Sequence, residues 1–105
     1  MEIRELSRQE CTAILQRRRV GRLACCSRDR PYVVPLYFAY SDRSLYAFSM
    51  VGQKIEWLRQ NPFATVLVEE DEDRAWRSVI VNGSYEELPD RIGHKVTLPL
   101  RSNPD

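Results

Sequence analysis

Apolar and polar residues change their spacing several times along this chain, and each change marks an element. Ser7-Arg8-Gln9-Glu10 has the spacing of a capping box, and Cys11, Ile14 and Leu15 follow at helical intervals. This predicts a short helix ending in Arg17-Arg18-Arg19, whose cations suit the negative end of a helix dipole. Val20 to Cys26 reads as a strand, Ser27-Arg28-Asp29-Arg30-Pro31 as a turn, and Tyr32 to Tyr40 as a second strand rich in β-branched and aromatic residues. The short polar turn between them implies a hairpin. Ser41-Asp42-Arg43-Ser44 marks another turn and Leu45 to Phe48 a third strand. A second helix begins at about Gln53 and is stopped by Asn61-Pro62. Phe63 to Val68 and Trp76 to Tyr85 supply the last strands, with Glu69-Glu70-Asp71-Glu72-Asp73 between them as a solvated acidic loop. About five or six strands with two short helices predict a mainly β fold, a small barrel more than an open βαβ sheet.

Two local features carry candidate chemistry. Pro35 sits in the middle of Val33-Val34-Pro35-Leu36-Tyr37, where it cannot donate to a ladder, so the strand is expected at an edge or with a bend. An edge leaves backbone groups free for a flat heteroaromatic ring, with Val34 and Leu36 packing on its surface; the alternative is an ordinary edge strand protected by proline. The second feature is Ser49-Met50-Val51-Gly52-Gln53-Lys54, which joins a strand to a helix. Free N–H groups and the positive helix end there suit a phosphate, with Gly52 allowing close approach and Ser49 and Lys54 adding a hydroxyl and a charge. The stretch lacks the glycine spacing of a Walker loop, and a strand-to-helix turn with a surface lysine is the plain alternative.

Composition narrows the function further. A chain of 105 residues forms one small domain, which buries roughly two-thirds of its unfolded surface and gains from dimerisation. Lys and Arg number 16 against 15 Asp and Glu, so no bulk charge points to nucleic acid, a membrane surface or an acidic partner. No run approaches the roughly 18 apolar residues of a membrane span, and a cytoplasmic location is expected. The three cysteines include the adjacent Cys25-Cys26, a poor disulfide framework that matches no zinc spacing. They read as small buried hydrophobes, with a reactive thiol as the alternative. His94, the single histidine, lies among polar residues after Pro89, a region without a periodic element, and is expected on the surface. No Ser/His/Asp or Cys/His constellation assembles, so the chain offers no catalytic residues of its own and no metal site.

Val20-Gly21-Arg22-Leu23-Ala24, Arg30-Pro31-Tyr32-Val33-Val34-Pro35-Leu36-Tyr37, the Phe48 to Lys54 loop, Asn61-Pro62 and Trp76-Arg77-Ser78-Val79-Ile80-Val81-Asn82-Gly83 follow one another in a telling order. Together they resemble the pyridoxamine 5'-phosphate oxidase-like flavin-binding proteins, in particular the nitroimidazole-reductase-like branch, over about residues 5 to 90. The resemblance implies an FMN-binding split β-barrel of about six antiparallel strands, and a homodimer with FMN where the subunits meet. By the same resemblance Val34, Pro35 and Leu36 lie beside the isoalloxazine ring, with Phe48 and Ser49 on the next strand. Gln53 and Lys54 face the phosphate, and Ser78 reaches the flavin, from the partner subunit in one arrangement. The related oxidases place an arginine where this chain has Gln53, so a bidentate contact is missing, for which Arg22 or Arg77 can substitute. They also hold the pyridoxal substrate with a longer C-terminal region, whereas about sixteen residues follow Pro89 here. The expected activity is therefore an FMN-dependent oxidoreductase, a flavin or nitro-group reductase and not a vitamin B6 oxidase. An electron donor such as NAD(P)H and an acceptor complete it. The alternative is a non-catalytic protein that binds or stores a flavin, a deazaflavin or haem.

Overall fold

The computed structural model describes residues 5–47, 53–72, 75–88 and 94–97. In chain order the elements are α1 (Arg8–Arg17), β1 (Val20–Ser27), β2 (Arg30–Tyr37), β3 (Ala39–Ser41), β4 (Ser44–Ala47), α2 (Gln53–Gln60), β5 (Phe63–Glu72), β6 (Ala75–Glu87) and β7 (His94–Thr97). The capping box forms as expected: Ser7 Oγ accepts from the Glu10 N–H at 3.1 Å and Glu10 Oε1 accepts from the Ser7 N–H at 2.7 Å. The β1–β2 and β3–β4 turns place non-glycine residues in the left-handed region, Arg28 and Asp29 in the first, Asp42 and Arg43 in the second. That backbone matches the right-handed twist of the strands they join.

All seven strands lie in one sheet in the order β2-β1-β5-β6-β7-β4-β3, and every neighbouring pair is antiparallel. The two edge strands, β2 and β3, are separated along the chain by Phe38 alone. A sheet whose opposite edges are one residue apart has to curl on itself, and the result is a split β-barrel. The expected single strand from Tyr32 to Tyr40 is thus two strands that leave in different directions. Phe38 is the bend: its side chain is buried and its N–H donates to the Arg19 carbonyl at 2.8 Å. Counted as one bent strand, β2 and β3 bring the total to the six expected.

The core fills from alternate residues of the strands and from one face of each helix. Leu23, Leu45, Val66 and Val68 are fully enclosed, as are Ile14 of α1 and Leu58 of α2 in the same core. Gly83 marks a close backbone approach, because a Cβ there would stand 2.4 Å from the Thr97 carbonyl oxygen of β7.

Two expectations fail. The acidic run is not a solvated loop, since β5 continues through Glu72 and pairs with β6 as far as Glu72 opposite Ala75. Ladder pairing and inward burial of Glu70 outweigh the low strand propensity of acidic residues. The region after Pro89 also contains an element: β7 bridges β4 and β6, so these residues complete the sheet. Four residues are too few to show a period in the sequence. Among the described residues no helix is long and apolar enough to cross a membrane.

Candidate functional site

Strand β2 pairs with β1 on one side and, among the described residues, with no strand on the other, so Pro35 does lie at an edge. Alternation divides β2 into two faces. Tyr32, Val34 and Leu36 turn inward, opposite Cys25, Leu23 and Gly21 of β1, while Val33, Pro35 and Tyr37 turn outward. Leu36 is spent in the core and Val34 packs against it. The side chains of Val34 and Leu36, expected to pack on a flat ring, thus turn into the barrel, while their backbone lies along the open edge. The outward apolar surface comes from Val33, Pro35 and Tyr37.

The register carries this outer face across the sheet. Arg22 stands beside Pro35 on one side and Leu67 on the other, and Leu67 stands beside Ile80. Val20, Val33, Tyr37, Phe63, Trp76 and Ile80 are all exposed on this side, an unusual concentration for a lone subunit. Within it runs one charged pair, Arg22 Nε to Glu69 Oε1 at 3.7 Å, with side chains 62% and 37% exposed. Ser78 lies on the same face, paired with Glu69, and is half-buried. β1 and β5 intervene between β2 and β6, so Pro35 and Ser78 stand on strands that are not neighbours in the sheet, with Ile80 rather than Ser78 in the row of Pro35.

Helix α2 begins at Gln53, so Gln53 and Lys54 occupy its first turn, where backbone N–H groups lack helical partners. Its far end is pinned to the hairpin. The Ser27 hydroxyl donates to Gln60 Oε1 at 2.9 Å, the Asn61 amide donates to the Cys26 carbonyl at 2.9 Å, and Trp57 meets Tyr32 with ring centroids 5.2 Å apart. Phe48 and Ser49, the other two expected flavin contacts, lie outside the described residues, as do Met50 to Gly52.

The barrel's inner face holds a second charged group that the sequence did not announce. Glu70, 4% exposed, accepts from Arg17 Nε and Nη2 at 2.6 Å each, and Arg77 Nη1 lies 3.4 Å away. The hydrogen bonds from Arg17 hold the Glu70 carboxyl below the usual carboxylate range, against the opposing effect of burial. The alternation Ala64, Val66, Val68, Glu70 was the available signal: the fourth member of an inward series is buried whatever its charge. Of the two arginines considered as substitutes near a phosphate, Arg77 is committed to this inner cluster. Arg22 alone shares the outer face with Pro35.

The cysteines are unbonded, with Cys25 buried and Cys11 and Cys26 half-buried. Burial, then the neighbouring Glu10, raises the Cys11 thiol pKa, which lowers its reactivity. His94 begins β7, paired with Ala47 and Glu87, so it belongs to the sheet and not to a tail. Among the described residues no group of His, Cys, Asp and Glu is arranged to hold a metal ion.

Residues 7–101 match the family model described as pyridoxamine 5'-phosphate oxidase. An uncharacterised protein of Rhizobium meliloti is 47% identical over 90 residues, which cover 85% of this chain and 60% of that protein. The crystal structure of an FAD-binding protein from Mesorhizobium loti superimposes with a TM-score of 0.82 at 60% identity, covering 86% of this chain and 66% of the other. The chain thus spans somewhat under two-thirds of the length of both relatives. A candidate 5-nitroimidazole antibiotic resistance protein from Bacteroides thetaiotaomicron has a TM-score of 0.77 at 19% identity, covering 90% of this chain and 81% of the other, a likeness of fold.

Proposed function

Because the chain belongs to the pyridoxamine 5'-phosphate oxidase family, we propose that it binds a flavin nucleotide against the outer face of β2 and serves as a flavin-dependent oxidoreductase. The observation that carries this reading is the open edge of β2, with its proline and outward apolar residues, in a chain 60% identical to an FAD-binding protein. A flat ring edged with carbonyls and nitrogens suits free strand backbone next to apolar side chains, so the residues present fit the group. The FMN moiety is common to FMN and FAD, and the site is proposed to grip that moiety.

When bound, the flavin supplies hydride and electron transfer between a donor such as NAD(P)H and an acceptor. The chain's part is to bind, orient and exclude water. Val34, Pro35 and Leu36 offer backbone along one edge of the ring, and Phe48 and Ser49 are proposed as further contacts to it. Gln53 and Lys54 in the first turn of α2 face the phosphate, where the helix end adds its positive dipole. Ser78 is proposed to reach the flavin from a second copy of the chain, because its strand β6 is not a neighbour of the β2 edge in its own sheet. A homodimer through the outer face covers Val33, Tyr37 and Ile80 and brings the two half-sites together, once on each side of a two-fold axis. Three unbonded cysteines accord with a reducing, cytoplasmic compartment.

The test is to purify the protein, record its visible spectrum, extract the bound nucleotide and add NAD(P)H without oxygen. A yellow protein that releases FMN or FAD and bleaches with NAD(P)H is the expected result. Yellow protein that no nicotinamide bleaches favours the flavin carrier, a reading that the name of the Mesorhizobium relative also supports. Colourless protein that takes up neither flavin overturns both.

A further inference from the structure

The Arg22–Glu69 pair is out of place on an apolar face. At 3.7 Å, with Arg22 62% exposed, it is too long for a hydrogen bond and too open to contribute much to folding. Yet the register sets Arg22 directly beside Pro35, on the same side of the sheet as Val33 and Tyr37. A guanidinium there loses water once a ring or a second subunit covers the face, and it then needs an anion. Its planar fork of donors matches a planar pair of acceptors.

We propose, resting on the flavin reading above, that Arg22 stabilises the reduced flavin ring and that Glu69 opposes it, so that the pair sets the reduction potential. Two electrons and one proton enter the oxidised ring as a hydride from a dihydronicotinamide, which departs as the nicotinamide cation. The ring gains one unit of negative charge in the exchange. Arg22 therefore binds the reduced ring better than the oxidised one. Glu69 partly neutralises Arg22 and repels the same charge, weakening that preference. Arg77 cannot take this part, because Glu70 holds it on the other side of the sheet.

The experiment measures midpoint potentials of the flavin-loaded protein by spectroelectrochemistry for wild type, Arg22→Gln and Glu69→Gln, after flavin content has been confirmed for each. Arg22→Gln is expected to reduce the preference for the reduced ring about tenfold, a fall of about 30 mV for a two-electron couple. Glu69→Gln is expected to move the potential the other way by about half as much. Opposite signs are the signature, because a merely structural ion pair leaves both variants unshifted or shifts them alike. Flavin-loaded variants with unshifted or like-shifted potentials overturn the inference and leave the flavin reading standing. Wild-type protein that takes up no flavin overturns both.

Discussion

Glu69 and Glu70 are neighbours in sequence and opposites in structure. Strand alternation sends Glu70 into the barrel, where Arg17 grips it in two bonds of 2.6 Å, and sends Glu69 outward to a loose contact of 3.7 Å with Arg22. The same chemistry, one carboxylate facing one arginine, produces a structural tie on one side and an uncommitted charge on the other. Burial makes the difference. Inside, an unpaired Glu70 would be costly, so the pair is rigid and fastens α1 to the barrel. Outside, water screens the pair, and its charges are available to a ligand or a second subunit.

The harshest test of this division uses the next consecutive pair, Ile80 and Val81 of β6. Val81→Asp puts a charge without a partner into the core and is expected to cost more than about 3 kcal/mol, enough to prevent folding in a small domain. Ile80→Asp is expected to leave the fold intact, with circular dichroism near that of wild type, but to turn the proposed dimer into a monomer with at least a hundredfold weaker flavin affinity. Sedimentation and flavin titration read both effects. An Ile80→Asp protein that stays dimeric removes the outer face from the assembly.

Lys54→Ala tests the anion end of the proposed site. Loss of a charge-assisted contact of about 1.5 to 3 kcal/mol weakens FMN by tenfold or more while sparing riboflavin, which has no phosphate. Equal losses for the two ligands exclude a phosphate role.

Glu70→Gln and Glu69→Gln compare the carboxylates directly. The first is expected to lower stability by about 1 to 3 kcal/mol in urea unfolding, the second by less than about 0.5. Their pH dependence sharpens the contrast. Glu70 has its folded pKa depressed by Arg17, so the unfolded chain binds the proton more readily. Its contribution is complete above the ordinary carboxylate pKa of about 4.3 and fades as the pH falls through the lower folded value. Wild type should therefore lose more stability on acidification than Glu70→Gln, and parallel curves would contradict the tie.

The hairpins, both helices and the edge position of β2 were legible because each has a local cause: a capping box, polar turns, Asn61-Pro62, a proline in a strand. The proposed site was less so. Pro35 announces an edge but not which neighbours face outward, and the register alone shows that Val33 and Tyr37, not Val34 and Leu36, form the outer surface. The Glu70 cluster joins residues 53 positions apart and needed the closed barrel to appear. Strand β7, only four residues long, left no period to read.

The central claim is a flavin site shared across the outer face, and a stoichiometric titration with FMN and FAD tests it most directly, with visible absorbance and molar mass followed together. The account predicts saturation at one flavin per 12.3 kDa chain in a particle of twice that mass. Full flavin affinity in a particle of a single chain would contradict it.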